Sequence, residues 1–278
     1  MQRWDWSYYS NKLMQERYAL DDEMLKPYFK LENVQKGVFD LATRLYGITF
    51  KEVNNIPLYH PEVKTYEVYD NDGSFLAVLY TDFFPRESKG GGAWMTQFRG
   101  QKMVDGKDQR PLVSLVMNFT KPTDTKPSLL TFNEVTTFLH EFGHALHGMF
   151  SKCTYGSTSM DGVSRDFVEL PSQFMENYAL EKEWLDTWAV HYQTGEKIPQ
   201  EYIDKIKKSS NFQAGYASDR QLSFGMVDMA WHTITEPVTE PLADFEQRAM
   251  GKTEIMPLVK GSAFSPAFGH IFAGGYAA

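Results

Sequence analysis

The sequence predicts a mainly helical α+β fold with a small β-sheet, and three observations lead there. Val34, Val38, Leu41 and Leu45 recur at helical spacing near the start of the chain. Between residues 63 and 120 the pattern changes to that of strands. From Thr131 onward helical spacing returns for most of the remaining length.

Taken in order, residues 7–30 and 34–48 read as helices. VKTYEVYDNDGSFLAVLYTDFF, 63–84, holds two β-rich runs around Asn71-Asp72-Gly73, residue types that tolerate the positive φ of a hairpin turn. SKGGGAW, 88–94, is a glycine cluster with neither the GK[ST] of a phosphate loop nor a dinucleotide fingerprint. It reads as a turn beside the sheet, one in which the bare backbone of Gly91 and Gly92 can come close to a substrate. LVSLVMNFT, 112–120, is a strand and KPTDTKPS, 121–128, a turn-rich connection. Helices are expected near 131–150, 166–193, 200–209, 213–235 and 241–250.

Composition narrows the function. The net charge of −8, with basic residues scattered, disfavours nucleic acid and anionic membrane as partners, which call for clustered Lys and Arg. No apolar run approaches the ~20 residues of a membrane span. Cys153 is the single cysteine, which excludes an intrachain disulfide and a Cys-rich zinc module; a small buried filler is its expected role. Met1 leads into QRWDWSYYSNKL without a signal-peptide pattern, so the expected compartment is the cytoplasm, with the periplasm as the alternative if the chain is a piece of a longer one. Nothing in the sequence sets the oligomeric state.

HEFGH, residues 140–144, carries the chemistry. Thr131 and Glu134 fit a capping box, which puts the motif inside a helix. Four positions at ~100° and ~1.5 Å each bring His140 and His144 onto one face about 6 Å apart, so both imidazoles can reach one cation. Glu141 lies beside that face, where it can act as a general base toward water. Val135, Phe138, Leu139, Phe142, Ala145, Leu146 and Met149 cover the other sides, making the helix a buried one. Two such histidines can equally be hydrogen-bonded core residues, and a third ligand separates the readings, because catalytic zinc usually has three protein ligands. Glu169, Glu176 and His147 are the candidates. His147 lies about 10 Å along the helix from His140, too far to share its ion, and reads as packing or support. Spacing does not choose between Glu169 and Glu176.

HEFGHALHG, then RDFVELPSQ, then FGHIFAGGYAA resemble the thimet oligopeptidase and oligopeptidase A family of zinc peptidases, with the bacterial peptidyl-dipeptidase (dipeptidyl carboxypeptidase) branch the nearest in pattern; WDWSYY and GGAW extend the resemblance over nearly the whole chain. The resemblance implies a zincin-like catalytic domain and one Zn²⁺ ion. It assigns the third ligand to Glu169, 29 residues after the first histidine, and leaves Glu176 a supporting acid. It also implies that His270 and Tyr276 face substrate and help hold the carbonyl oxygen. Members of that family are two-lobed, with a helical region before the stretch seen here and a tyrosine-rich helix after GGYAA. Residues 1–278 are therefore expected to be a partial catalytic domain, without the N-terminal helical lobe or the far C-terminal segment. The expected activity is hydrolysis of short peptides with release of C-terminal dipeptides. The alternatives are an oligo-endopeptidase of the same family, a hydrolase of a non-peptide amide, and a fragment that binds zinc or peptide without efficient turnover.

Overall fold

The computed structural model describes residues 1–257 and 259–273. In chain order its elements are α1 (Trp6–Tyr18), α2 (Asp22–Leu25), α3 (Leu31–Tyr46), β1 (Thr49–Val53), β2 (Lys64–Tyr69), β3 (Phe75–Asp82), β4 (Trp94–Arg99), β5 (Lys102–Val104), β6 (Lys107–Gln109), β7 (Leu112–Val116), α4 (Phe132–Phe150), α5 (Leu170–Glu176), α6 (Lys182–Leu185), α7 (Gln200–Ser209), α8 (Ala214–His232), α9 (Leu242–Met250) and α10 (His270–Ala273). This is the expected α+β class. Contacts divide the chain into two compact units: Asp22–Asp204, and Met1–Asp21 together with Lys205–Ala278. No described helix is long and apolar enough to cross a membrane.

The larger unit is built on a five-stranded sheet of order β1-β2-β3-β7-β4. Neighbours are antiparallel except β3 and β7, which run parallel. β2 turns into β3 at Asn71-Asp72-Gly73, where Gly73 takes φ +81° and the Asp70 amide donates to Ser74 O at 2.8 Å. β3 is buried from Leu76 to Asp82 and so reads as a continuous apolar run. The helix α4 covers the sheet: Phe138 meets Phe83 with ring centroids 5.2 Å apart, and Phe142 meets Phe50 at 6.0 Å. Phe39 of α3 packs on Phe142 at 5.9 Å.

Several elements differ from those the sequence predicts. β1 and β4 are edge strands, and their residues are too exposed to carry an alternating apolar signal. The β5–β6 hairpin turns through Asp105-Gly106, both at positive φ. Helix 7–30 closes at Ala19, which caps α1 in the left-handed conformation, and restarts as α2. The expected helix 166–193 exists only as α5 and α6, joined by a 3₁₀ turn and an extended Glu181. Pro171 explains where α5 begins: a ring without an N–H fits the first turn of a helix, not its interior.

At the end of β3, the almost fully buried Asp82 is the centre of a charge cluster. Its carboxylate accepts two bonds from Arg86 at 2.9 Å each, one from Lys89 Nζ at 2.9 Å and one from Tyr59 OH at 3.0 Å. Burial pushes the carboxyl pKa up, but these donors together outweigh it and leave the group below the ordinary Asp range. The same burial and carboxylate push the Tyr59 phenol up to about 12. A carboxylate with a depressed folded pKa adds stability above its unfolded pKa, near ~3.9, and that stability is lost as pH falls through the folded value. Asp82→Asn should therefore lower stability by about 3–5 kcal/mol at pH 7, since it strands two largely buried cations. It should also flatten the fall in stability below pH ~4; denaturant melts of both proteins across pH check this.

Candidate active site

The site is built on α4. Its first turn is fixed by the expected capping box: Glu134 N donates to Thr131 Oγ1 at 3.1 Å and Thr131 N to Glu134 Oε2 at 2.7 Å. At the far end the Arg110 guanidinium donates to Met149 O and Ser151 O, placing a cation on the helix carbonyls that lack intrahelical partners. Between these ends, His140 and His144 lie side by side with ring centroids 5.0 Å apart.

Glu169 completes the cluster from the turn that leads into α5. One of its oxygens, Oε2, is 3.2 Å from His140 Nε2 and 3.0 Å from His144 Nε2. Three donor atoms bound at 2.0–2.1 Å in a tetrahedron sit about 3.3 Å from one another, so these residues are already spaced to hold a metal ion, and among the described residues they form the one group of metal-ligating side chains close enough to do so. Glu176, the other candidate, stands behind His140, its Oε1 2.6 Å from Nδ1. A carboxylate there fixes the ring and leaves Nε2 to face the cluster. His147 lies one turn beyond His144 and takes no part: its Nδ1 is buried without a partner among the described residues, and burial depresses its pKa.

Two residues that sequence reasoning does not single out set this geometry. A side chain at Gly143 would place its Cβ 2.4 Å from Pro171 O and 2.6 Å from Ser172 Cα, so glycine is what lets α4 and α5 meet backbone to backbone. Ser172, fully buried, donates to Glu169 Oε2 at 2.8 Å and to Glu169 O at 2.9 Å, which holds the carboxylate in place. The signal for Gly143 is present in the motif itself; nothing in the local sequence marks Ser172.

Glu141 is 8% exposed and lies outside the cluster. Burial raises its pKa, neighbouring His140 lowers it, the Glu169 carboxylate raises it further, and a hydrogen bond from the Met95 amide of β4 lowers it; the net shift is upward. Burial also holds His144 below the ordinary imidazole range, in the neutral form that can ligate a cation. Gly91 and Gly92 lie in the loop before β4, where Gly92 takes φ +82° and an added Cβ at either would meet nothing within 4 Å among the described residues. Cys153 is half-buried, not buried as expected, and its thiol donates to Thr158 O at 3.2 Å. His270 opens α10 in the smaller unit, and Tyr276 lies outside the described residues.

A helix with two histidines four residues apart, a third donor from the turn that leads into the next helix and a buried acid beside them is the arrangement of a metallopeptidase centre. The chain belongs to peptidase family M3, whose model matches residues 1–278. It is 43% identical over 281 residues to the dipeptidyl carboxypeptidase of Salmonella typhimurium, 42% identical over 285 to oligopeptidase A of Escherichia coli, and 41% identical over 280 to the dipeptidyl carboxypeptidase of Escherichia coli. Each alignment covers 100% of this chain and 41% of the relative, so the chain spans less than half the length of these relatives.

The ligand geometry predicts a ranking of zinc affinities by direct titration. Glu169→Ala should cost more than Glu176→Ala, which removes only the group behind His140 and should cost about 10–100-fold. Gly143→Ala, with every ligand intact, should also lose at least about tenfold by forcing α5 and Glu169 away; unchanged affinity there would show that the close approach is dispensable.

Proposed function

We propose that this chain carries the catalytic centre of a zinc-dependent peptidase that acts on short peptides and releases C-terminal dipeptides. The observation that carries the reading is the Glu169 oxygen seated against both imidazole Nε2 atoms, with a separate buried carboxylate, Glu141, on the same helix. Two nitrogens and one oxygen from the protein suit zinc with one position left open. When bound, the ion supplies Lewis acidity that makes water a competent nucleophile near neutral pH and polarises a carbonyl.

The residues of the chain do the rest. Glu141 takes the proton of the attacking water and passes it to the leaving amine; its raised pKa suits a group that must hold that proton in between. His270 and Tyr276 are assigned to the developing oxyanion by family resemblance, a type of contact whose removal costs about 10²–10³ in rate. β4 supports a peptide as the substrate, because as an edge strand it has one side open to pairing by an extended main chain. Gly91 and Gly92 are assigned to the substrate because, among the described residues, nothing lies within 4 Å of the place a Cβ would take at either. The names of the relatives, dipeptidyl carboxypeptidase and oligopeptidase A, support the same substrate class.

Two outcomes test the reading. Glu141→Gln should keep zinc and lose turnover by about 10²–10⁴, because the amide cannot accept the proton while the ligands are untouched; metal content and peptide hydrolysis on one preparation decide it, and equal loss of both sinks the base assignment. Gly91→Ala should leave the melting temperature unchanged and raise KM for a peptide with a free C-terminus, and comparison with a C-terminally blocked peptide separates dipeptide release from internal cleavage.

A further inference from the structure

Between the turn from β4 to β5 and the 3₁₀ turns Gly156–Thr158 and Met160–Gly162 lies an open cleft of about 570 Å³, with Arg99, Gly100, Lys102, Ser157 and Asp161 in its walls. Its walls are tied together. The almost fully buried Gln101 accepts the Cys153 amide on Oε1 at 2.8 Å and donates from Nε2 to Cys153 O at 3.1 Å, and the Met103 amide donates to Thr154 O at 3.2 Å. The cleft sets two cations against one carboxylate. Asp161 is already engaged, its Oδ1 accepting from Gln97 Nε2 at 2.9 Å. Arg99 commits Nε and Nη2 to Arg110 O, at 3.2 and 3.0 Å. Lys102 Nζ has no partner among the described residues, while its stem is held along the turn, Cδ 3.7 Å from where a Cβ at Gly156 would stand.

β4 leads from the metal-ligating histidines to this cleft. α4 runs antiparallel to β7, since Phe119, just beyond that strand, meets Phe138 at 6.1 Å, while Arg110, just before it, reaches Met149 O and Ser151 O. β4 is also antiparallel to β7, so it runs in the same direction as α4. Gln97 Oε1 lies 3.1 Å from where a Cβ at Gly148 would be. Four residues back along the helix, ~6 Å, is His144; two residues back along the strand, ~7 Å, is Met95. The strand therefore passes the histidines near Met95 and enters the cleft at Arg99, ~13 Å further on. The pairing with β7 shifts between Gln97 and Arg99, a bulge of the kind that bends a strand and re-aims its side chains.

We infer that this cleft is a subsite for an acidic side chain of the peptide, held by Lys102 and Arg99 about four residues from the bond that is cut. The inference rests on the proposed function, with the peptide paired along the free edge of β4. That reading also fixes the direction. Release of a dipeptide leaves only two residues on the C-terminal side of the cut, ~7 Å of extended chain, which cannot span the ~13 Å from Met95 to Arg99. The part that reaches the cleft is therefore the N-terminal one, and the peptide runs antiparallel to β4, the slightly more stable of the two pairings. The whole chain, at −8, repels acidic peptides, so a preference for one must come from a local cluster of cations.

The test uses two octapeptides with free C-termini that differ only in Glu or Gln at the sixth residue from the C-terminus, the fourth before the cut. Their binding is measured on the metal-free protein, where no turnover intervenes, and their hydrolysis on the zinc-loaded one. At low salt the Glu peptide should bind about fivefold more tightly, near the upper end for an exposed charge pair, and the preference should shrink as salt is added. Lys102→Arg should keep the preference and Lys102→Glu should abolish or reverse it. In hydrolysis the same preference should appear in KM, with kcat little changed. Equal binding of the two peptides, binding of neither, or a preference that survives Lys102→Glu overturns the proposal. Hydrolysis of both peptides without preference would leave the peptidase reading standing and remove the subsite. Selective binding without any hydrolysis would keep the subsite and remove the peptidase reading.

Discussion

The site depends on how closely two helices can approach. α4 supplies two imidazoles from one face, and a third donor must come from outside that helix. Glu169 reaches them only because α5 lies with its first turn against Gly143, at a distance that excludes even a methyl group. Pro171 sets where that turn begins, and Ser172 orients the carboxylate immediately before it. The sheet, the capping box and the Arg110 guanidinium serve the same end, since any shift of α4 along its axis would carry His140 and His144 past Glu169. Interiors packed to crystal-like density transmit such shifts without absorbing them.

Charge explains why this arrangement calls for a cation. Glu141, Glu169 and Glu176 gather around two imidazoles, and His144 is held neutral by burial. Three carboxylates around two imidazoles, one of them held neutral, leave the cluster rich in negative charge, and partly buried charge is costly unless it is compensated. The upward shift of Glu141 comes first from burial, with the Glu169 carboxylate adding to it. A divalent ion between Glu169 and the two Nε2 atoms would supply the missing charge. The Asp82 cluster in the same unit meets the same requirement differently, with Arg86 and Lys89 as cations of its own.

Much of this is legible in the sequence because it is local. Thr131 and Glu134 announce the start of α4 three residues apart, and His140, Glu141 and His144 follow at helical spacing within it. The hairpin at Asn71-Asp72-Gly73 is equally local, since the turn demands those residue types. Glu169 can be assigned only through resemblance, because its distance from His140 along the chain says nothing about distance in space. Reading 166–193 as one helix fails because apolar residues at helical spacing persist through the breaks at Pro171 and Glu181. β1 and β4 escape notice for the opposite reason: their order comes from a neighbour, β2 or β7, and not from their own composition.

The smaller unit holds His270 by a related economy of means. Glu246, almost fully buried, accepts the amides of Phe264 at 2.9 Å and Ser265 at 2.7 Å, while Trp231 Nε1 donates to Ser265 Oγ at 2.9 Å. Ile271, the residue after His270, is buried with Val227, Phe245 and Met250. His270 itself stays exposed, its ring 5.5 Å from Phe268. A buried carboxylate and an apolar anchor thus shape the chain on either side of an exposed imidazole. If His270 is the oxyanion donor proposed above, orientation fixed before substrate arrives would leave little to reorganise when charge develops. The same logic runs through the larger unit, where Ser172 fixes Glu169 and Glu176 fixes His140. In each case the group that would do chemistry is held by one that does none.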